Sequence, residues 1–177
     1  MIDREGWLAG MPRVESPNCD DRPAGTEVSL LVVHSISLPP GEYGGDSIEK
    51  LFTNRLDPDA HPYFRQIEGL KVSAHFLVRR DGRVIQFVPV HRRAWHAGVS
   101  SWRGRSACND FSVGVELEGS DDGPFEEAQY RALNELIARL RGALPLRDIA
   151  AHSDISPGRK SDPGPGFAWG RVLSRPA

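Results

Sequence analysis

One short run constrains this chain most. Val28-Ser29-Leu30-Leu31-Val32-Val33 is β-branched and almost continuously apolar. A strand of that kind is buried on both faces, so it needs covering layers above and below it. It ends at His34. The following Ser37-Leu38-Pro39-Pro40-Gly41-Glu42-Tyr43-Gly44-Gly45 is too rich in Pro and Gly for regular structure.

Other segments supply the layers. Residues from Asp46 to Arg55 read as a short helix with Asp46 as N-cap. Ala74 to Arg80 and Val84 to Val88 read as a hairpin turning at Asp81-Gly82. Ser112 to Glu118 alternates, with Val113, Val115 and Leu117 on one face and Gly114, Glu116 and Glu118 on the other. Glu126 to Leu144 is the clearest helix. Leu133, Leu136, Ile137, Leu140 and Leu144 form one apolar stripe, Glu126 and Glu127 suit its start, Arg139 and Arg141 suit its end, and Pro145 stops it. Asp148 to Ala151 leads into His152, and Ser153 to Gly166 reads as a long ordered loop. Strands alternating with a few helices give an α/β fold, a single domain over residues 1–177 with a mixed central β-sheet packed by helices.

Composition narrows the function. Charged residues are 26% of the chain, but the net charge is only -2, which speaks against nucleic-acid binding. No stretch approaches the roughly 18 apolar residues of a membrane span. Charges in Met1-Ile2-Asp3-Arg4-Glu5 fall where an export signal needs its apolar run, so the chain is expected to be cytoplasmic. Cys19 and Cys108 lie far apart, outside any CxxC motif, and read as two reduced, inert thiols.

Six histidines occur. His34 sits where a buried strand meets a Gly/Pro loop, a favoured position for functional groups in α/β sheets. His152 stands at a similar junction, with Asp154 and Asp162 close behind. Two imidazoles and a carboxylate make a catalytic zinc set, but without an HExxH motif ordinary structural histidines remain the alternative. Glu116 and Glu118 share a strand face, which is either a functional face or a solvated sheet edge; one of them is a candidate general base. Trp95 either packs in the core or stacks on a sugar. His75, mid-strand, reads as a satisfied buried histidine, whereas His61, in a loop before Pro62, and His91 read as solvated. Arg159-Lys160 alone reads as surface charge.

Taken together, five ordered motifs are more specific than any single histidine. They are Leu31-Val32-Val33-His34 followed by Ile36 to Gly41, Val72 to Leu77, Arg93 to Ser100, Cys108 to Gly119, and His152 to Pro165. In this order they resemble the zinc amidases that recycle cell-wall fragments in Gram-negative bacteria. The likeness runs from about Gly6 to Trp169. It implies one Zn²⁺ per chain held by His34, His152 and Asp162, with Glu116 and Lys160 in the two catalytic positions. It also puts Trp95, Ser35, Arg159, Ala94 and Lys71 along the substrate groove. The implied reaction is hydrolysis of the amide between (1,6-anhydro-)N-acetylmuramic acid and L-alanine in peptidoglycan recycling, on a small muropeptide, by a monomer with no membrane or nucleic-acid partner. The implied fold is shared with phage amidases and peptidoglycan recognition proteins. Three neighbours of the ligands depart from the family pattern: Ser35 stands for a usual Asn, Ser153 for Cys and Ser161 for Thr. Two rival readings go with the resemblance, a non-catalytic peptidoglycan-binding module and an amidase of intact cell wall. The retained ligand set weighs against the first.

Overall fold

The computed structural model describes residues 1–172; residues 173–177, the end of the expected domain, lie outside the described residues. In chain order the elements are β1 (Cys19–Asp21), β2 (Leu30–Ile36), α1 (Ser47–Phe52), α2 (Pro62–Gln66), β3 (Phe76–Val78), β4 (Val84–Gln86), β5 (Arg92–Ala94), β6 (Ser101–Trp102), β7 (Arg105–Ser106), β8 (Ser112–Glu118), α3 (Glu127–Arg141), β9 (Asp148–Ala151) and α4 (His152–Ile155). The main sheet runs in the order β4-β3-β8-β2-β9. Its β3–β4 hairpin is antiparallel and its other pairings are parallel, so the sheet is mixed.

Alternation along β2 and β8 sorts the two faces. Leu31, Val33, Val113, Val115 and Leu117 pack with Leu133, Leu136, Ile137 and Leu140 of α3 in one core cluster. Leu30 and Val32 point the other way, into a cluster with Ala97, Cys108 and Phe111. His34 and Glu116 are register partners across β2 and β8 and share that second face. The sheet is therefore apolar under α3 and carries its chemistry on the opposite side.

Several boundaries differ from the sequence reading, each for a local reason. β2 does not stop at His34: pairing with β8 carries it on to Ile36 opposite Glu118. α1 is shorter than expected, and Asp46 makes no side-chain cap because its carboxylate pairs with Lys50 at 2.9 Å. A helix, α2, follows His61, whose Nδ1 accepts the Tyr63 amide, with Pro62 in the first turn. α3 begins after Glu126, whose amide donates to Gln129 Oε1 at 3.0 Å, and ends at Gly142 rather than at Pro145. The expected loop after His152 instead opens with the single turn α4.

Candidate active site

The site forms where two paired strands part. β2 and β9 run side by side until Val33 faces Ala151. The next residue on each is a histidine. β2 continues as strand through His34, whereas the chain turns at His152 into α4. That divergence brings the two rings together, with His34 Nδ1 2.9 Å from His152 Nδ1. Asp162 returns to the same point, its Oδ2 3.2 Å from His34 Nδ1 and 3.0 Å from His152 Nδ1.

These three atoms are suited to a cation. His152 Nε2 lies 3.1 Å from the Ala97 carbonyl, which can only accept, so the ring proton sits on Nε2 and the Nδ1 lone pair faces the centre. Asp162 offers only acceptors when ionised. Burial lowers the His34 pKa to about 4, against the opposing pull of Asp162, which leaves the ring neutral as a metal ligand requires. Burial pushes Asp162 upward, but its contacts with His152 and His34 outweigh that and hold it well below the usual carboxylate range. The three ligand atoms lie within 4.8 Å of one another. Tetrahedral zinc with bonds of about 2.0–2.1 Å sets neighbouring ligands about 3.3 Å apart, close to the spacing seen.

A cavity of about 380 Å³ opens over this cluster. Glu116, Lys160, Ser35, Trp95 and Tyr63 line it together with the three ligand residues, and Leu38, Ile67 and Leu70 give it an apolar wall. Glu116 Oε2 is buried with no hydrogen-bond partner among the described residues. Burial drives its carboxyl well above the usual glutamate value, the Asp162 charge adds to that, and Lys160 opposes it. A carboxyl that is orphaned, buried and basic, beside three metal-ligand atoms, is equipped to take a proton from water.

The other expected site residues are placed differently. Ser35 lines the cavity, but its hydroxyl donates to Asp121 Oδ1 at 2.8 Å. Arg159 does not line it: its guanidinium holds the Ala97 and Val99 carbonyls and the Ser156 hydroxyl. Ala94 is fully buried in the apolar cluster behind Trp95. Lys71 lines a smaller neighbouring cavity of about 110 Å³ that shares Leu51, Ile67 and Leu70 with the main one. Glu118, the other carboxylate of its strand face, is tied to Arg79 at 2.8 Å and is structural. His75 is a satisfied buried histidine, as its position suggested.

Among the lining residues that escaped the sequence reading are Tyr63 and His96. Tyr63 could have been found, because Pro62 after a capping His61 announces the short helix that presents it. His96 touches His34, its Nδ1 lying 2.9 Å from His34 Nε2. It lies on an irregular segment with no periodicity to reveal which way it points.

A cluster of two histidines and an aspartate, on the polar face of a mixed sheet and beneath a substrate-sized cavity, defines a metal-dependent hydrolase. Within that class the chain belongs to the N-acetylmuramoyl-L-alanine amidase family, whose pattern its residues 24–165 match. The 1,6-anhydro-N-acetylmuramyl-L-alanine amidase AmpD of Citrobacter freundii is 54% identical over 175 residues, covering 97% of this chain and 92% of that protein. AmpD of Escherichia coli K12 is 52% identical over 173 residues, covering 97% and 94%. A crystal structure of a selenomethionine derivative of AmpD matches with a TM-score of 0.94 at 52% identity, over 98% of this chain and 99% of that one. No helix among the described residues is long and apolar enough to cross a membrane.

Proposed function

We propose that this chain hydrolyses the amide between the lactyl carbonyl of 1,6-anhydro-N-acetylmuramic acid and L-alanine, with one zinc ion held by His34, His152 and Asp162. The observation that carries the reading is the meeting of three ligand atoms with an unpartnered Glu116 oxygen in one cavity. The relatives named above carry that substrate in their names.

When bound, zinc supplies Lewis acidity toward a carbonyl oxygen and lowers the pKa of water from about 15.7 toward about 7. The chain's own residues do the rest. Glu116 Oε2 accepts the proton of the attacking water, a role worth roughly 10²–10⁴-fold. The Lys160 ammonium faces the same cavity and stabilises the negative charge that develops on the carbonyl oxygen. Glu116 then returns its proton to the departing alanine nitrogen, so the carboxyl ends as it began. Trp95 and the apolar wall hold the substrate and exclude bulk water. The same reading makes the enzyme a cytoplasmic monomer acting on soluble fragments.

The test is to give the purified protein soluble anhydro-muramyl tripeptide and intact sacculi side by side, and to measure bound zinc. Release of tripeptide from the soluble substrate by a protein with one zinc supports the reading. Faster cleavage of sacculi would replace the substrate, and binding without cleavage would replace the activity.

A further inference from the structure

His96 is fixed in place by groups that the proposed reaction does not use. Its ring is buried and bonded at both nitrogens, Nδ1 to His34 Nε2 at 2.9 Å and Nε2 to Ser112 Oγ at 3.2 Å. Ser112 is fully buried, and its hydroxyl lies 2.6 Å from the Cys108 carbonyl.

The direction of this chain follows from its last member. A carbonyl can only accept, so the Ser112 proton goes to Cys108. Ser112 Oγ is then left as acceptor for His96, which places the His96 proton on Nε2. No carboxylate among the described residues bonds His96, so the ring is neutral and its Nδ1 carries a lone pair. That lone pair receives the Nε2 proton of His34. The His34 Nδ1 is thereby left bare, and it is this atom that faces His152 and Asp162.

A second observation shows that the fold is shaped around the ring. Gly114 lies beneath it on β8, and a Cβ there would collide with His96 Cγ and lie 2.6 Å from Nδ1. The glycine interrupts a strand that is otherwise well supplied with side chains, and what fills the space is the imidazole.

We infer that His96 is a positioning residue for the metal centre: with Ser112 and the Cys108 carbonyl it locks the tautomer and ring orientation of His34 so that Nδ1 faces the metal. This rests on the proposed metal site. Histidine ligands generally donate their second N–H to an outer partner, and losing that partner weakens metal binding by about 10–100-fold. A neutral imidazole in that role is a weaker anchor than a carboxylate. It also adds no negative charge next to a centre that already contains Asp162.

The test measures zinc affinity by chelator competition and the visible spectrum of the cobalt-substituted protein. It compares wild type with His96→Ala, His96→Asn, Ser112→Ala and Gly114→Ala. Metal-free thermal unfolding of each reports whether it folds. His96→Ala is expected to weaken zinc by about 10–100-fold and to alter the cobalt spectrum. His96→Asn keeps an acceptor near the Nδ1 position and is expected to recover most of the affinity. Ser112→Ala should shift both readouts in the same direction by less, and Gly114→Ala should resemble His96→Ala by displacing the ring. If His96→Ala does not fold, Ser112→Ala decides. Wild-type zinc affinity and an unchanged cobalt spectrum in folded His96→Ala, or in Ser112→Ala where His96→Ala does not fold, would overturn the role of His96 and leave the metal site standing. Asparagine performing no better than alanine would overturn the acceptor role. A wild-type protein that binds no zinc would overturn both.

Discussion

Ser35 Oγ donates a 2.8 Å hydrogen bond to Asp121 Oδ1, and the second oxygen of the same carboxylate accepts the hydroxyl of Ser161. One side chain thus joins the strand residue after His34 to the residue between Lys160 and Asp162. The backbone adds to the clamp, since Gly166 N donates to the Asp121 carbonyl at 3.2 Å and any Cβ on Gly164 would collide with Asp121. Both serines carry short hydroxyls that reach one shared acceptor.

Asp121→Ala should therefore release the 160–162 segment and lower kcat/KM by roughly 10–100-fold, the size of effect expected from a misplacement of about 1 Å. Ser35→Ala and Ser161→Ala should each cost less, and either should add little in the Asp121→Ala background. Additive losses in that double-mutant cycle would mean that the two hydroxyls act independently.

Glu116→Gln should lower kcat by roughly 10²–10⁴-fold while keeping bound zinc, because it removes a proton acceptor and no ligand. Lys160→Ala should also keep the metal and lose roughly 10²–10³-fold, as for other donors to a developing oxyanion. Metal analysis alongside steady-state kinetics checks both. Loss of zinc in either variant would assign that residue to the metal centre instead.

The alternation in Ser112–Glu118 put Glu116 and Glu118 on one face and could go no further. Which of them is functional depends on partners far along the chain, 39 residues away for Glu118 and Arg79, and no period encodes those. Glu118 meets Arg79 of the hairpin, and Arg79 also holds Glu49 of α1. Glu116 meets the cavity. The sheet, α3 and the hairpin were legible because burial on one face repeats with the period of the element. The cluster of His34, His152 and Asp162 was not legible from spacing. His34 and His152 are 118 residues apart and meet only because β2 and β9 pair in parallel up to Val33 and Ala151. The resemblance supplied that pairing, but it could not show that Ser35 and Ser161 share Asp121 or that His96 backs His34.

The two glutamates should differ in stability as they do in role. Glu118→Ala leaves Arg79 buried beside one carboxylate instead of two and should destabilise the fold, by less than the about 3–5 kcal/mol of a buried charge left without any counter-charge. Glu116→Ala removes an unpartnered buried oxygen and should leave the metal-free protein at least as stable as wild type. Urea unfolding of the two metal-free variants makes the comparison. A large loss in Glu116→Ala would mean that its carboxyl has a structural partner.

Removing the metal should destabilise the native chain, since it leaves three acceptor atoms crowded together at 2.9–3.2 Å. A chelator should lower Tm and stoichiometric zinc should restore it, with His152→Ala unresponsive to either. An unchanged Tm on chelation would show that the cluster is not a structural participant.

His75 sets a pH dependence that is separate from the metal. Its Nδ1 accepts the Gly114 amide at 3.0 Å, so its proton is on Nε2 and goes to the Arg92 carbonyl at 3.0 Å. The Arg22 guanidinium lies 3.1 Å from the same nitrogen, which has no lone pair to offer it. Burial first, and then the Arg22 charge, lower the pKa of the ring from 6.5 to about 3. The unfolded chain therefore takes up this proton at a higher pH than the folded one. The stability contributed by the neutral ring is intact above pH 6.5 and drains away as pH falls toward about 3. Its slope is up to about 1.4 kcal/mol per pH unit for one proton. His34 and His96 add slopes of the same sign in the metal-free protein, because burial lowers their pKa values too. His75→Gln should therefore be less stable than wild type at neutral pH, and its loss of stability between pH 6.5 and pH 3 should be shallower by one proton. Urea denaturation at a series of pH values measures both slopes, and parallel lines would show that His75 is not held neutral by the fold.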